Sequence, residues 1–215
     1  MNKQDEQLNA LNDIRKMMDR SSKFISLSGL SGVFAGITAL VGAYFAHQEI
    51  VKYVNRDLEK AYFDASIEFN LIKIGFLVLI IALAVGVLFT YRQSRRKNLP
   101  IWDRTAKKLL INLAIPLATG GSFIAALLFV HPNAYGLVAP SCLLFYGLAL
   151  VNASKYTYTD IRFLGLCEIF LGLIAMFNIG YGLYFWAIGF GILHIIYGAV
   201  MYFKYESTKT PTEKS

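Results

Sequence analysis

The sequence predicts an all-α membrane protein: a polytopic bundle of six transmembrane helices in three hairpins, with both termini cytoplasmic. Three observations predict it. The 215 residues are 56% hydrophobic and 16% charged, where a soluble domain carries about a quarter charged residues. Ile25 to Ala46, Ile74 to Tyr91, Leu109 to Val130 and Leu137 to Ser154 are free of charge, and Phe163 to Phe203 holds one, Glu168. A helix crosses the hydrocarbon with roughly 20 mostly apolar residues. Lastly, 17 of the 21 Lys and Arg fall on segments that share one side if the N-terminus is inside, which is the bias that orients membrane helices. The net charge of +7 is then a topology signal.

Residues 1–23 form the first element. Leu8, Leu11, Ile14 and Met18 fall on one helical face, which predicts a cytoplasmic amphipathic helix lying on the inner surface or running into the first span. So long a polar lead before the first apolar run does not resemble a cleavable signal peptide. The membrane domain covers 24–203, with spans at about 25–46, 72–91, 109–130, 137–154, 161–177 and 182–203. In the first span Ser28, Gly32 and Gly36 recur every fourth residue. Such a face of small residues lets helix backbones approach closely, either within the chain or between two copies.

The outer segment 47–70 carries Ile50, Val54, Leu58, Ala61 and Ala65 at helical spacing, with Lys52, Arg56, Glu59 and Lys60 opposite. It predicts an outer helix that caps the bundle or docks a partner. Lys73 sits near the outer end of the second span, where its stem can snorkel to the interface. The 92–108 loop holds seven basic residues and Trp102; two readings stand, plain topology determination and attraction of anionic inner-leaflet lipid. Pro116 and Pro140 lie in the third and fourth spans, and prolines there mark either ordinary kinks or the broken helices of transport sites. Asn178 to Gly182 breaks the long final stretch, because Asn and Gly supply the positive φ of a tight turn. Residues 204–215 are a short polar cytoplasmic tail.

The last hairpin reads GLCEIFLG from Gly165 to Gly172, then the turn, then Gly189-Phe190-Gly191 and on to Tyr197-Gly198. The third–fourth hairpin echoes it in Gly120-Gly121, Tyr135-Gly136 and Tyr146-Gly147. Over residues 165–198 this glycine-spaced pattern resembles the HdeD-like six-span acid-resistance membrane proteins. The resemblance implies a stress-associated function in a bacterial inner membrane and brings no catalytic residues. Two features depart from the family's pattern, the turn without proline and the long outer segment.

An ionisable side chain inside a span is costly, and so is a functional hypothesis by default. Glu168 lies about 10 Å from the inner boundary and His194 about 12 Å from it, counting 1.5 Å per residue. Gly165 and Gly172 share a stripe with Glu168, and Gly191 and Gly198 share one with His194. The expectation is a Glu168–His194 pair between the fifth and sixth spans, acting as a structural clasp or as a proton relay. Asn112 and Asn152 fall in the inner half, where they line a cytoplasm-facing polar cavity with that pair or are merely interfacial. Thr119, Ser122, Ser141 and Tyr146 are the polar candidates for the outer half of the third and fourth spans. Cys142 and Cys167 differ in depth by about 14 Å, too far to bridge.

No zinc-binding histidine pair on a helix, phosphate-cradling loop or serine elbow occurs, so the chain is expected to be no enzyme and to need no metal or cofactor. Its cations are not interleaved with aromatics on a folded domain, which argues against nucleic acid. What remains is a non-enzymatic membrane protein with a structural, accessory or envelope-stress role, or a small proton-coupled transporter or channel built on Glu168 and His194.

Overall fold

The computed structural model describes residues 24, 27–54, 66–98, 100 and 102–207. The expected N-terminal amphipathic helix, the middle of the outer segment at 55–65 and the end of the tail lie outside them. Among the described residues every regular element is helical: α1 Gly29–Val54, α2 Ser66–Arg96, α3 Arg104–Val130, α4 Val138–Ala153, α5 Asp160–Phe177 and α6 Gly182–Tyr205. Short 3₁₀ turns at Pro132–Leu137 and Ser154–Tyr156 join α3 to α4 and begin the link to α5. Five helical stretches, all but α5, are long and apolar enough to cross a membrane. The 18-residue α5 is set apart by three charges, Asp160, Arg162 and Glu168, within that short length.

The helices overrun the expected spans. The residues expected to begin an outer helix continue α1 as far as Val54, and α2 is already formed at Ser66. The Asn70 amide donates to Glu49 Oε2 at 3.2 Å and ties the two together there. α3 starts where Asp103 caps it, Oδ1 accepting from the Ala106 nitrogen at 2.6 Å. Pro140 falls in the first turn of α4, where its missing N–H costs no helical bond, so it does not break a span. Asn178 and Gly180 make the expected turn, with Gly180 at φ 106°.

Glycines decide which helices meet. α1 lies against α6: a Cβ at Gly32 would fall 3.2 Å from the Gly198 Cα, and one at Gly36 2.6 Å from the Gly191 oxygen. The stripe of small residues therefore packs within the chain. Ser28 is not part of it, because it precedes α1 and Gly29 takes the contact with Gly198 and Tyr202. The stripe on α5 does not face α6 as expected. A Cβ at Gly165 would lie 2.7 Å from the Gly147 oxygen, one at Gly147 would lie 2.6 Å from the Gly165 oxygen, and Gly172 abuts Leu143 and Leu144. So α5 packs along α4 and α6 along α1, and the fifth–sixth hairpin is held by its turn and a short shared stretch. α2 leans on α1 through Val78 against Gly42 and Phe89 against Phe34. Its other sides, with Phe76, Leu77, Leu83, Val87 and Leu88, are exposed, a surface for hydrocarbon rather than water.

One end of the bundle, called inner after the orientation the basic residues predict, is tied by polar contacts. The Phe24 nitrogen donates to the Tyr156 oxygen at 2.7 Å, and Thr157 Oγ1 donates to the Phe24 oxygen at 2.8 Å. The Glu206 carboxylate sits at the N-terminus of α1, accepting from the Gly29 nitrogen and from Ser28 Oγ, where free N–H groups favour an anion. Asp160 accepts from Lys204 Nζ at 2.9 Å and from the Tyr205 hydroxyl, and Tyr158 stacks on Tyr205 at 4.1 Å. Burial works to raise the Asp160 carboxyl, but the bonds from Tyr205 and Lys204 hold it below the usual carboxylate range. A group whose folded pKa is depressed stabilises above its unfolded value and loses that contribution as pH falls through the folded one. Wild-type protein is therefore expected to lose thermal stability below about pH 4, and Asp160→Asn to lose less over the same range. Equal slopes for both proteins in a pH series of melting curves would contradict this.

Candidate functional site

Glu168 sits mid-way along α5 and is fully buried. The Gly147–Gly165 crossing one turn away brings α5 hard against α4, and the carboxylate points across to α6. There the helix winds as a π-turn over Ala187–Leu193. π-turns are single-turn irregularities that often lie at functional sites, and this one contains Gly189-Phe190-Gly191, a weak helix-forming run. Gly189 makes room for the carboxylate: a Cβ there would fall 2.5 Å from Glu168 Oε2 and 2.5 Å from Leu143 Cδ2.

His194 begins the regular part of α6 and is buried. Its Nδ1 lies 3.4 Å from Glu168 Oε1, so the expected neighbours do meet. The bond between them is not the expected one, however. Nδ1 is 2.9 Å from the Gly189 carbonyl oxygen, five residues back across the π-turn, and Nε2 is 2.7 Å from the Tyr146 hydroxyl. A carbonyl only accepts, so Nδ1 carries a hydrogen; in the neutral ring Nε2 then accepts from Tyr146. The single Nδ1 hydrogen is aimed at Gly189, which leaves both Glu168 oxygens buried without a hydrogen-bond partner. Tyr146 also packs on Phe190 at 5.0 Å, and Trp186 on Phe190 at 5.2 Å, so the outer side of the cluster is closed by aromatic rings.

The cluster is thus a carboxyl, an imidazole and a phenol on α5, α6 and α4, with a proton position contested between Glu168 and Gly189. Few native buried polar groups lack a partner, and each one calls for a reason. Comparison with protein-family models, curated proteins and solved structures found no match to this chain. The site must be read from its geometry. The described residues offer no group of three metal-ligating side chains, and Cys142 and Cys167 are free thiols.

Position in the sequence places Tyr146 only among the polar residues of the outer half and does not mark it as a partner of His194. The Tyr-Gly pairs at 146–147 and 197–198 were the available signal, because Gly147 marks the crossing that sets Tyr146 in place. Gly189 was visible only as one of two close glycines. Of the other outer-half candidates, Thr119 turns its hydroxyl back to the Ile115 oxygen of its own helix at 2.9 Å, while Ser141 is buried and its hydroxyl has no partner.

Asn112 and Asn152 do not join Glu168 and His194 in one cavity. They meet each other on the α3–α4 face, where the Asn152 amide donates to the Asn112 carbonyl at 2.9 Å. Pro116, four residues on, has no N–H to give that carbonyl. Asn152 supplies from α4 the donor that Pro116 withholds within α3, which is how membrane bundles tolerate a mid-helix proline. Asn152→Leu is expected to cost about 0.6 kcal/mol and at most about 1.7. In a Pro116→Ala background the same change should cost less, since residue 116 then bonds the carbonyl itself. Additive losses in a double-mutant cycle of unfolding free energies would contradict that account.

Proposed function

We propose that this chain is a multi-pass membrane protein, six helices crossing the bilayer with both termini cytoplasmic, that carries out no catalysis and responds to protons at Glu168, His194 and Tyr146. The observation behind this reading is the fully buried carboxyl of Glu168 with no hydrogen-bond donor. A pure clasp would satisfy its carboxylate, because an unpaired ionised group in a bundle is costly. A group kept at that cost is one whose proton comes and goes. Charge gained or lost there bears directly on the Gly189 carbonyl and the π-turn, and so on how α5 and α6 sit against each other.

Six crossings count α5 with the five longer helices. Its 18 residues rise about 27 Å, close to the hydrocarbon thickness, with Asp160 and Arg162 at the inner end. The placement of 17 of 21 Lys and Arg supports the orientation. The resemblance of residues 165–198 to the HdeD-like proteins supports a bacterial inner membrane and an acid- or envelope-stress role.

The test is thermal stability in detergent across about pH 5 to 8, the range in which histidine titrates, for wild type and Glu168→Gln. Wild-type stability is expected to vary with pH and that of Glu168→Gln to be nearly flat. Parallel curves would reduce the cluster to a polar clasp. The π-turn favours one second reading, a proton-coupled transporter, since irregular backbone within a span accompanies transport sites; it requires that Glu168→Gln abolish a flux while the protein still folds.

A further inference from the structure

A groove of ≈ 430 Å³ runs along the outer face of the α3–α4 pair, away from Glu168. Pro116, Thr119, Phe145 and Leu148 wall it, and Asn152 and Lys155 stand at its inner end. Its wall is apolar, because the Thr119 hydroxyl is spent on the Ile115 oxygen of its own helix. The Asn152–Asn112 bond fixes the antiparallel register of the two helices. Lys108, one turn before Asn112, is therefore level with Lys155, and both are exposed.

We propose that this groove is a binding site for one anionic phospholipid of the inner leaflet, an acyl chain lying along Pro116, Thr119 and Leu148 and the phosphate held between Lys108 and Lys155. Charge complementarity selects that occupant. An apolar channel at hydrocarbon depth ends in two ammonium groups where the inner leaflet presents its negative headgroups. A second copy seated in the same groove, inserted with the same orientation, would bring its own Lys108 and Lys155 to the same level and oppose like charges. The inference rests on the orientation proposed above but not on the proton site, and lipid binding in detergent is read independently of both.

Native mass spectrometry of the delipidated full chain, with phosphatidylglycerol and phosphatidylcholine of identical acyl chains, tests it. Wild type should retain one phosphatidylglycerol in preference to phosphatidylcholine. Lys108→Gln with Lys155→Gln should weaken that preference about thirtyfold, from the attraction of two surface lysines. Thr119→Trp, which fills the groove from an exposed position, should lower retention of both lipids, and melting curves of each variant report that it is folded. Arg95→Gln with Arg96→Gln, at the inner end of α2, should leave the preference unchanged. Equal loss in that arginine variant would mean diffuse surface charge and overturn the site. So would retention unaffected by Thr119→Trp, or a dimer that Thr119→Trp dissociates without any lipid preference.

Discussion

Replacing Gly198 by alanine is expected to destabilise the protein by about 3 kcal/mol, the upper end of what overpacking a filled interior costs. The new methyl would lie 2.6 Å from the Val33 nitrogen, 2.7 Å from the Gly29 oxygen and 2.9 Å from the Gly32 carbonyl carbon. All three are backbone atoms, so no rotamer change can relieve the clash; α1 and α6 would have to separate along their length. Gly121→Ala and Gly86→Ala are the matched controls, since a Cβ at either meets nothing within 4 Å. In those two the better helix propensity of alanine should leave stability unchanged or raise it by up to about 1 kcal/mol. Chemical unfolding in mixed micelles measures all three. A Gly198→Ala loss no larger than that of Gly121→Ala would mean that α1 and α6 are not in contact as described.

The second large effect is an asymmetry within the buried cluster. His194→Leu strands the buried Tyr146 hydroxyl and removes the ring bond on the Gly189 oxygen, so a loss of about 1–3 kcal/mol is expected from the stranded hydroxyl alone. Glu168→Leu strands nothing, because the carboxyl accepts no bond. It should be neutral or stabilising, because a buried polar group that makes no hydrogen bond costs stability where it sits. A hydrogen-bonded clasp would make the two losses alike. In Glu168→Leu with His194→Leu, coupling between the sites should appear as departure from the sum of the single changes. Strict additivity would mean that 3.4 Å of separation carries no interaction.

Much of this was legible in the sequence, and the parts that were not share a cause. Helix-forming apolar stretches, the turn at Asn178 to Gly180 and the free cysteines follow from composition and local chemistry, which a single chain displays. Glycine spacing also showed correctly that backbones approach closely. It could not say which backbones: Gly165 answers to Gly147 on α4 and Gly198 to Gly29 on α1, although 165 and 198 belong to one hairpin. Depth counting along 1.5 Å per residue brought Glu168 and His194 to the same level, and the structure does place them side by side. The count is blind to azimuth and to helix irregularity. The π-turn rotates His194 against the preceding turn and supplies the Gly189 oxygen as a rival acceptor, so neighbours in depth are not bonded partners. The same limit separated Asn152 from the supposed cavity. Its partner is a carbonyl freed by Pro116, a pairing that depends on α3–α4 register.

Magnetic resonance of the detergent-solubilised protein, with carbon-13 in the glutamate carboxyls and nitrogen-15 in the histidine rings, tests the proton site most directly. Between about pH 5 and 8 the Glu168 carboxyl carbon and both His194 ring nitrogens are expected to shift together in one coupled titration, and Glu168→Gln should alter the His194 curve. A Glu168 carboxyl that holds a constant shift throughout, with His194 unchanged by Glu168→Gln, would contradict proton binding at this cluster.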